Sequence, residues 1–412
     1  MISLLRKNVS NMDISRISEL NRILSQLLRW YDNKEIKSLR SPEVPSVDKI
    51  NEQIERIILI LHNSTRKEGL WDGHTHTYYS DGDYSPTQVV INAKAEGLST
   101  IIVCDHDGTG GIEEAVMAGR KCGVSVIPGV EISTKSRDKK DLFFGIEVHI
   151  LGIWPKESYE NSRHKLKEMD KKLEKVREIR TFRTFKMLEK YRDNGINIDI
   201  GKKEDYKRGF AARAHLAKAR FFQEYGKTPQ QAIKEGETEL VAKEIKRFES
   251  ETGRGGIAEY TYGDAEKEYG CKAFFEPEEA VSLIHDLGGT AILAHPGEIL
   301  EKYEKKHEKD YKLEWKELAA FIAGLVKDCK LDGLEVYTPK HSHEDMKMLQ
   351  KIAKHHKLIM TLGSDYHGME LKPKVKLGRG INSNLTRYNF FQNLKQFRTK
   401  KYFPQMQERK VA

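Results

Sequence analysis

His74 and His76 are separated by one residue in Asp72-Gly73-His74-Thr75-His76. In an extended strand, residues i and i+2 point to the same side, so this spacing turns two imidazoles toward one centre. Five residues further on, Ser80-Asp81-Gly82 offers a carboxylate in a tight turn. Asp105-His106 follows the apolar run Ile101-Ile102-Val103-Cys104, and a polar pair behind so buried a strand needs partners or a metal to offset its desolvation. The same reasoning applies to Glu131 in Gly129-Val130-Glu131-Ile132-Ser133, to His149 in Val148-His149-Ile150-Leu151, to His295, and to the closing pair Asp365 and His367.

Any one of these side chains has an ordinary explanation as a hydrogen-bonded core residue. Together, His74, His76, Asp81, His106, Glu131, His149, His295, Asp365 and His367 form a set of imidazoles and carboxylates with no cysteine. Such a set suits Mn²⁺, Fe²⁺ or Zn²⁺ rather than a structural thiolate site. It holds too many ligands for one ion and fits two or three. Clusters of that kind catalyse in-line displacement at phosphorus.

These residues must be positioned by strands. Apolar runs around 70–75, 100–104, 124–132, 144–153, 290–295, 332–337 and 358–364 alternate with helical stretches, the pattern of an α/β barrel. Polar residues gathered at strand C-termini suit a barrel active site. A long interruption at 155–275 opens with a charged helical run, Arg163 to Tyr191, and continues with helices around 213–225 and 239–250. Residues 151–250 carry 25 Lys and Arg against 17 Asp and Glu, so most of the chain's net charge of +9 lies there. This run is either a solvated surface or a basic flap that grips an anionic substrate. Ahead of the strands, residues 1–68 show two amphipathic stripes, Ile14 to Leu28 and Val47 to Leu61, suited to a packing or oligomerisation hairpin.

The 412 residues allow one large domain with an insertion or a small accessory domain. Hydrophobic residues at 38% and charged residues at 32% describe a polar globular chain, and runs such as Ile57 to Leu61 are too short to cross a bilayer. Without a signal-peptide pattern, the expected location is the cytoplasm, with no membrane partner. Cys104, Cys122, Cys271 and Cys329 form no CxxC pair and are expected to be reduced thiols.

The motifs Asp72-Gly73-His74-Thr75-His76, Ser80-Asp81-Gly82, Asp105-His106-Asp107, Gly129 to Ser133, Ala294-His295-Pro296 and Gly363 to Gly368 resemble the PHP (polymerase and histidinol phosphatase) family across residues 70–370. That resemblance implies a distorted seven-stranded, TIM-like (β/α) barrel holding up to three metals, and hydrolysis of phosphate esters. It implies one ion on His74, His76, Glu131 and Asp365, and a second on bridging Glu131 with His149 and His295. Asp81, His106 and His367 would hold a third. Mn²⁺ is the first expectation, with Fe²⁺ or Zn²⁺ as alternatives.

Within the family, Arg213-Ala214-His215-Leu216-Ala217 and Gly333-Leu334-Glu335-Val336-Tyr337 resemble the branch that hydrolyses nucleoside 3′,5′-bisphosphates and trims short RNAs from the 5′ end. The resemblance implies that Arg213 and His215 bind phosphate and serve catalysis, with the leaving oxygen near the third metal or a protonated imidazole such as His215. It also implies that Glu335 supports the metals from behind. The expected partner is a phosphorylated nucleotide or short oligonucleotide; the oligomeric state is open. The expected organisation is a helical extension at 1–68, a barrel from 69–154 and 276–385, a substrate-binding insertion at 155–275 and a tail at 386–412. Two alternatives stand: a histidinol-phosphate or other small-molecule phosphatase, and a nucleic-acid-binding protein that keeps the barrel as a scaffold.

Overall fold

The computed structural model of the protein describes residues 71–378, apart from 140, 155, 207–208 and 307–313. The expected helices within 1–68 and the tail at 386–412 lie outside the described residues.

Seven strands form one curled sheet in chain order: β1 (Trp71–Thr75), β2 (Thr100–Val103), β3 (Ser125–Lys135), β4 (Glu147–Ile153), β5 (Thr290–Leu293), β6 (Gly333–Tyr337) and β7 (Ile359–Leu362). The short strands are rich in β-branched residues and almost wholly buried, as Ile101, Ile102 and Val103 of β2 are. Right after β7, Tyr366 bridges back to Thr75 at the end of β1.

Helices α1 (Pro86–Ala95) and α2 (Ile112–Cys122) make the crossovers between the first three parallel strands. Ser85 fixes the start of α1 by accepting the Gln88 amide on its hydroxyl (3.1 Å), with Pro86 in the first turn, where no amide is needed. After β5 come α9 (Gly297–Lys306), α10 (Trp315–Cys329) and α11 (His343–His355).

β4 departs from the expectation that the polar residues sit at strand C-termini. It pairs antiparallel with both β3 and β5, whereas every other pairing in the sheet is parallel. The β3–β4 link is short enough to return directly, and only parallel strands need a long crossover. Because β4 is reversed, His149 lies in its first half and still reaches the end of the sheet where its neighbours' C-termini gather. Glu131 is likewise mid-strand, since β3 runs on to Lys135.

The interruption holds α3 (Lys156–Asp193), α4 (Arg213–Tyr225), α5 (Pro229–Lys234), α6 (Thr238–Glu251) and α7 (Tyr262–Tyr269); α8 (Pro277–Asp286) then leads back to β5. The first part of α3 packs Leu166, Met169 and Leu173 into the main core. The later helices bury residues of their own, with Phe221 of α4 against Val241, Ile245 and Phe248 of α6. Much of the local basic charge is neutralised in place: Arg220 meets Glu251 at 3.1 Å, and Arg247 meets both Glu224 and Glu244 at 2.6 Å.

Candidate metal centre

All nine side chains singled out in the sequence gather at one end of the sheet, around Glu131. Its carboxylate is buried, and its two oxygens face different sets of imidazoles. Oε2 lies 3.1 Å from Nε2 of both His74 and His76 and 3.4 Å from Nδ1 of His106. Oε1 lies 2.8 Å from His149 Nδ1 and 3.0 Å from His295 Nε2. Asp365 Oδ1 closes the first set, 3.2 Å from His76 Nε2 and 3.5 Å from His74 Nε2. Asp81 faces His367 Nε2 at 3.3 Å and His106 Nε2 at 3.8 Å.

Donor atoms within 4.8 Å of one another form three overlapping groups: His74, His76, Glu131 and Asp365; His106, Glu131 and His149; and His76, Asp81, His106 and His367. Two of the three expected sets correspond closely to these groups. The other pairs Glu131 and His149 with His106, while His295 approaches the same Glu131 oxygen as His149.

Four of the six imidazoles have an acceptor on the side away from the centre. His74 Nδ1 donates to Glu335 Oε1 (3.0 Å), His149 Nε2 to Glu147 Oε1 (3.1 Å), and His367 Nδ1 to the Asp365 carbonyl (2.8 Å). His295 Nδ1 lies 3.0 Å from Glu298 Oε2. Each of these four rings can therefore spend one N–H outward and present its other nitrogen, as a lone pair, to the centre. That arrangement serves metal ligation, where an outer acceptor fixes the ring and raises its basicity. Asp81 Oδ1 and His106 Nδ1 are buried without a hydrogen-bond partner. His74 and His76 also bring their Nε2 atoms within 3.0 Å of each other. Lone pairs so crowded repel unless a cation lies among them, so the donor set fits divalent ions.

With no ion among them, the imidazoles themselves supply the positive charge that a metal would otherwise bring. Burial opposes ionisation of Glu131, yet His106, His74 and His149 hold its carboxyl well below the usual range. Burial likewise opposes ionisation of Asp365, but Lys340 and Lys372 keep it well below its ordinary value. These lysines, 3.0 and 2.5 Å from Asp365 Oδ2, carry no sequence pattern that singles them out.

The flanking carboxylates have different roles. Asp105 accepts the Thr77 amide and the Thr77 and Ser80 hydroxyls, all at 2.7 Å, and so shapes the turn that presents Asp81. Gly82 packs so closely on the His76 and Thr77 backbone that a Cβ would lie 2.8 Å from it. At Gly363, a Cβ would collide with His74 and Glu335. His295 and Asp365 both hold positive φ, 29° and 54°, an uncommon backbone state that here turns candidate ligands inward.

Two cavities open from the centre, and both are lined by Asp81, His106, His149, Ala214 and Glu249. One, of about 350 Å³, is walled by Arg180, Arg183 and Arg213. Arg180 pairs with Asp107 at 2.8 Å, and Arg183 donates to the Tyr260 carbonyl at 2.8 Å and lies over the Tyr262 ring. Arg213 is exposed and has no hydrogen bond or ion pair with any described residue. The other cavity, of about 440 Å³, sets Lys246, Lys372 and Lys374 beside Ile245, Leu371 and Val375.

His215 is not in either wall. Its Nδ1 accepts the Ala212 amide (2.9 Å) at the start of α4, its ring stands edge-on to Tyr206, and burial lowers it to about 4. Near neutral pH this imidazole carries no proton to spare on Nδ1, which does not suit the role of acid.

Residues 72–259 match the family described as "PHP domain". The chain is 28% identical to a 5′-3′ exoribonuclease of Haemophilus influenzae over 300 residues, 72% of this chain and 89% of that one. It is 25% identical to a phosphoribosyl 1,2-cyclic phosphate 1,2-diphosphodiesterase of Eggerthella lenta, covering 72% and 94%. It is 27% identical to a 3′,5′-nucleoside bisphosphate phosphatase of Chromobacterium violaceum, covering 72% and 86%. A crystal structure from Bifidobacterium adolescentis, described as a metal-dependent phosphoesterase, superposes with a TM-score of 0.52 at 24% identity, covering 79% of this chain and 97% of that one, and shares the fold.

Proposed function

We propose, from the premise that the chain carries a PHP domain, that it is a metal-dependent phosphoesterase acting on nucleotides or short oligonucleotides that bear a second phosphate. The observation that carries this reading is the Glu131 carboxylate, faced on its two oxygens by separate sets of imidazoles whose outer nitrogens are clamped by Glu335, Glu147 and Glu298. In our reading His74, His76, Glu131 and Asp365 hold one ion, Glu131 with His149 and His295 a second, and Asp81, His106 and His367 a third. Mn²⁺ is our first choice. Divalent ions held by these residues would supply hydroxide near neutral pH and would offset charge on phosphoryl oxygens.

The chain's own groups account for recognition. Arg213 offers an unpaired guanidinium, the geometry that grips a phosphate through two parallel hydrogen bonds. Arg180 and Arg183 keep the same cavity electropositive. In the other cavity, the lysines and the apolar wall of Ile245, Leu371 and Val375 suit a nucleoside with a following phosphate. Names borne by the relatives in Haemophilus influenzae and Chromobacterium violaceum support a nucleotide or RNA substrate. Residues 155–275 are, in this reading, one inserted substrate-binding unit, and the barrel is formed by 69–154 with 276–385. The Thr75–Tyr366 bridge supports a distorted barrel that closes between its first and last strands.

The test is hydrolysis by Mn²⁺-loaded protein of a nucleoside 3′,5′-bisphosphate, a 5′-phosphorylated oligoribonucleotide and histidinol phosphate. Turnover of either of the first two well above the third is expected. Preference for histidinol phosphate would move the function to small-molecule phosphatase. Binding of oligonucleotide without hydrolysis of any substrate would favour a scaffold.

A further inference from the structure

Hydrolysis of a sugar phosphate leaves an alkoxide that must gain a proton as the ester bond breaks. Phosphorus has to sit over the ligand cluster, where the arginine-walled cavity meets the lysine-walled one. A proton donor on the wall that both share would serve a leaving oxygen directed into either cavity. Of the five residues on that wall, Asp81, His106 and His149 belong to the ligand groups and Ala214 has no exchangeable proton on its side chain. Glu249, near the C-terminal end of α6, remains. Its carboxyl group makes no hydrogen bond or ion pair with any described residue, although most of the acidic side chains around it on α6 and α4 are paired.

We propose that Glu249 is the general acid of the reaction, a role that rests on the phosphoesterase reading above. Hydroxide forms the new bond to phosphorus, the ester P–O bond breaks, and its electron pair goes to the sugar oxygen. That oxygen takes the proton from the Glu249 carboxyl group, leaving a carboxylate that regains its proton from water. The environment keeps the acid form available. Burial raises Glu249, and Asp81 adds to this. Arg213 of α4, Lys372 beyond β7 and Lys246 of its own helix oppose it, with the balance upward. General acids are efficient when their pKa moves toward the working pH.

The experiment compares wild type with Glu249→Gln and Glu249→Asp, each loaded with Mn²⁺, on a nucleoside 3′,5′-bisphosphate and on p-nitrophenyl phosphate. The nitrophenolate departs without help, so the acid matters only for the sugar ester. Glu249→Gln is expected to retain wild-type metal content, to lose about a hundredfold or more in kcat on the bisphosphate, and to lose less than tenfold on the nitrophenyl ester. Its alkaline limb of kcat against pH should flatten, and Glu249→Asp should recover part of the loss. Equal losses on both esters, or none on the bisphosphate, overturn the general-acid role while leaving the phosphoesterase reading standing. A wild type that hydrolyses neither ester overturns both.

Discussion

Glu335 on β6 accepts the Nδ1–H of His74 on β1 at 3.0 Å and, through its other oxygen, the amide of His295 at 2.9 Å. One buried carboxylate therefore orients a candidate ligand and fixes the backbone of another, across a sheet in which β1 and β6 are not neighbours. Glu335→Gln keeps one acceptor but turns an amide N–H₂ toward either the His74 N–H or the His295 amide. Both cannot be satisfied. Loss of such outer support costs about ten- to a hundredfold in metal affinity. Equilibrium dialysis against Mn²⁺ should show that drop with the fold intact by circular dichroism.

Glu131 should matter to more than one ion, because its two oxygens face separate imidazole sets. Glu131→Gln is expected to lower Mn²⁺ stoichiometry by more than one per chain. Asp365→Asn, at a residue of one donor group only, should lose no more than one, and both it and His76→Ala should lower turnover by several orders of magnitude. Metal analysis after loading decides it: unchanged stoichiometry in Glu131→Gln would refute a bridging role.

The strands and the nine clustered side chains were legible because short apolar runs each ended in, or enclosed, a residue that such a run does not otherwise tolerate. His149 was legible as a residue but not in its setting, since nothing in Val148-His149-Ile150 says that β4 runs backwards. Glu147 lies two residues before His149, on the same strand face, so its signal was present in the spacing. Glu298 sits one helical turn beyond His295. Lys340, Lys372 and Glu249 had no such mark: two lie on loops, and the third lies in a helix where half of the residues are charged. Their roles arise from tertiary approach, which no local period encodes.

Stability should carry a pH signature from His215. Its folded value of about 4 lies below the ordinary 6.5, chiefly through burial and with Lys218 adding to the effect against Asp81. Between those values the unfolded chain binds more protons, so this contribution is complete above about pH 6.5 and is lost as pH falls toward 4. His215→Gln keeps an acceptor for the Ala212 amide at the helix start without the titration. Thermal unfolding of metal-free protein should show the variant gaining on wild type by on the order of 1–2 kcal/mol between pH 7.5 and pH 5. A difference that does not change with pH would mean that His215 titrates normally.

Arg213 should be a substrate residue with no part in holding metal. Its guanidinium is exposed, lines the cavity beside Arg180 and Arg183, and belongs to none of the donor groups. Removing one charge-assisted hydrogen bond to phosphate costs roughly 1.5–3 kcal/mol, about ten- to a hundredfold in kcat/KM. Arg213→Ala should therefore retain full Mn²⁺ content and lose that factor on a nucleoside 3′,5′-bisphosphate. On a chromogenic phosphodiester with no second phosphate the loss should be smaller, because the contact it would have made is absent in wild type as well. Equal losses on the two substrates would place Arg213 at the scissile phosphate, stabilising the transition state. Wild-type kinetics on both would make the exposed guanidinium part of a charged helical cover that takes no part in recognition.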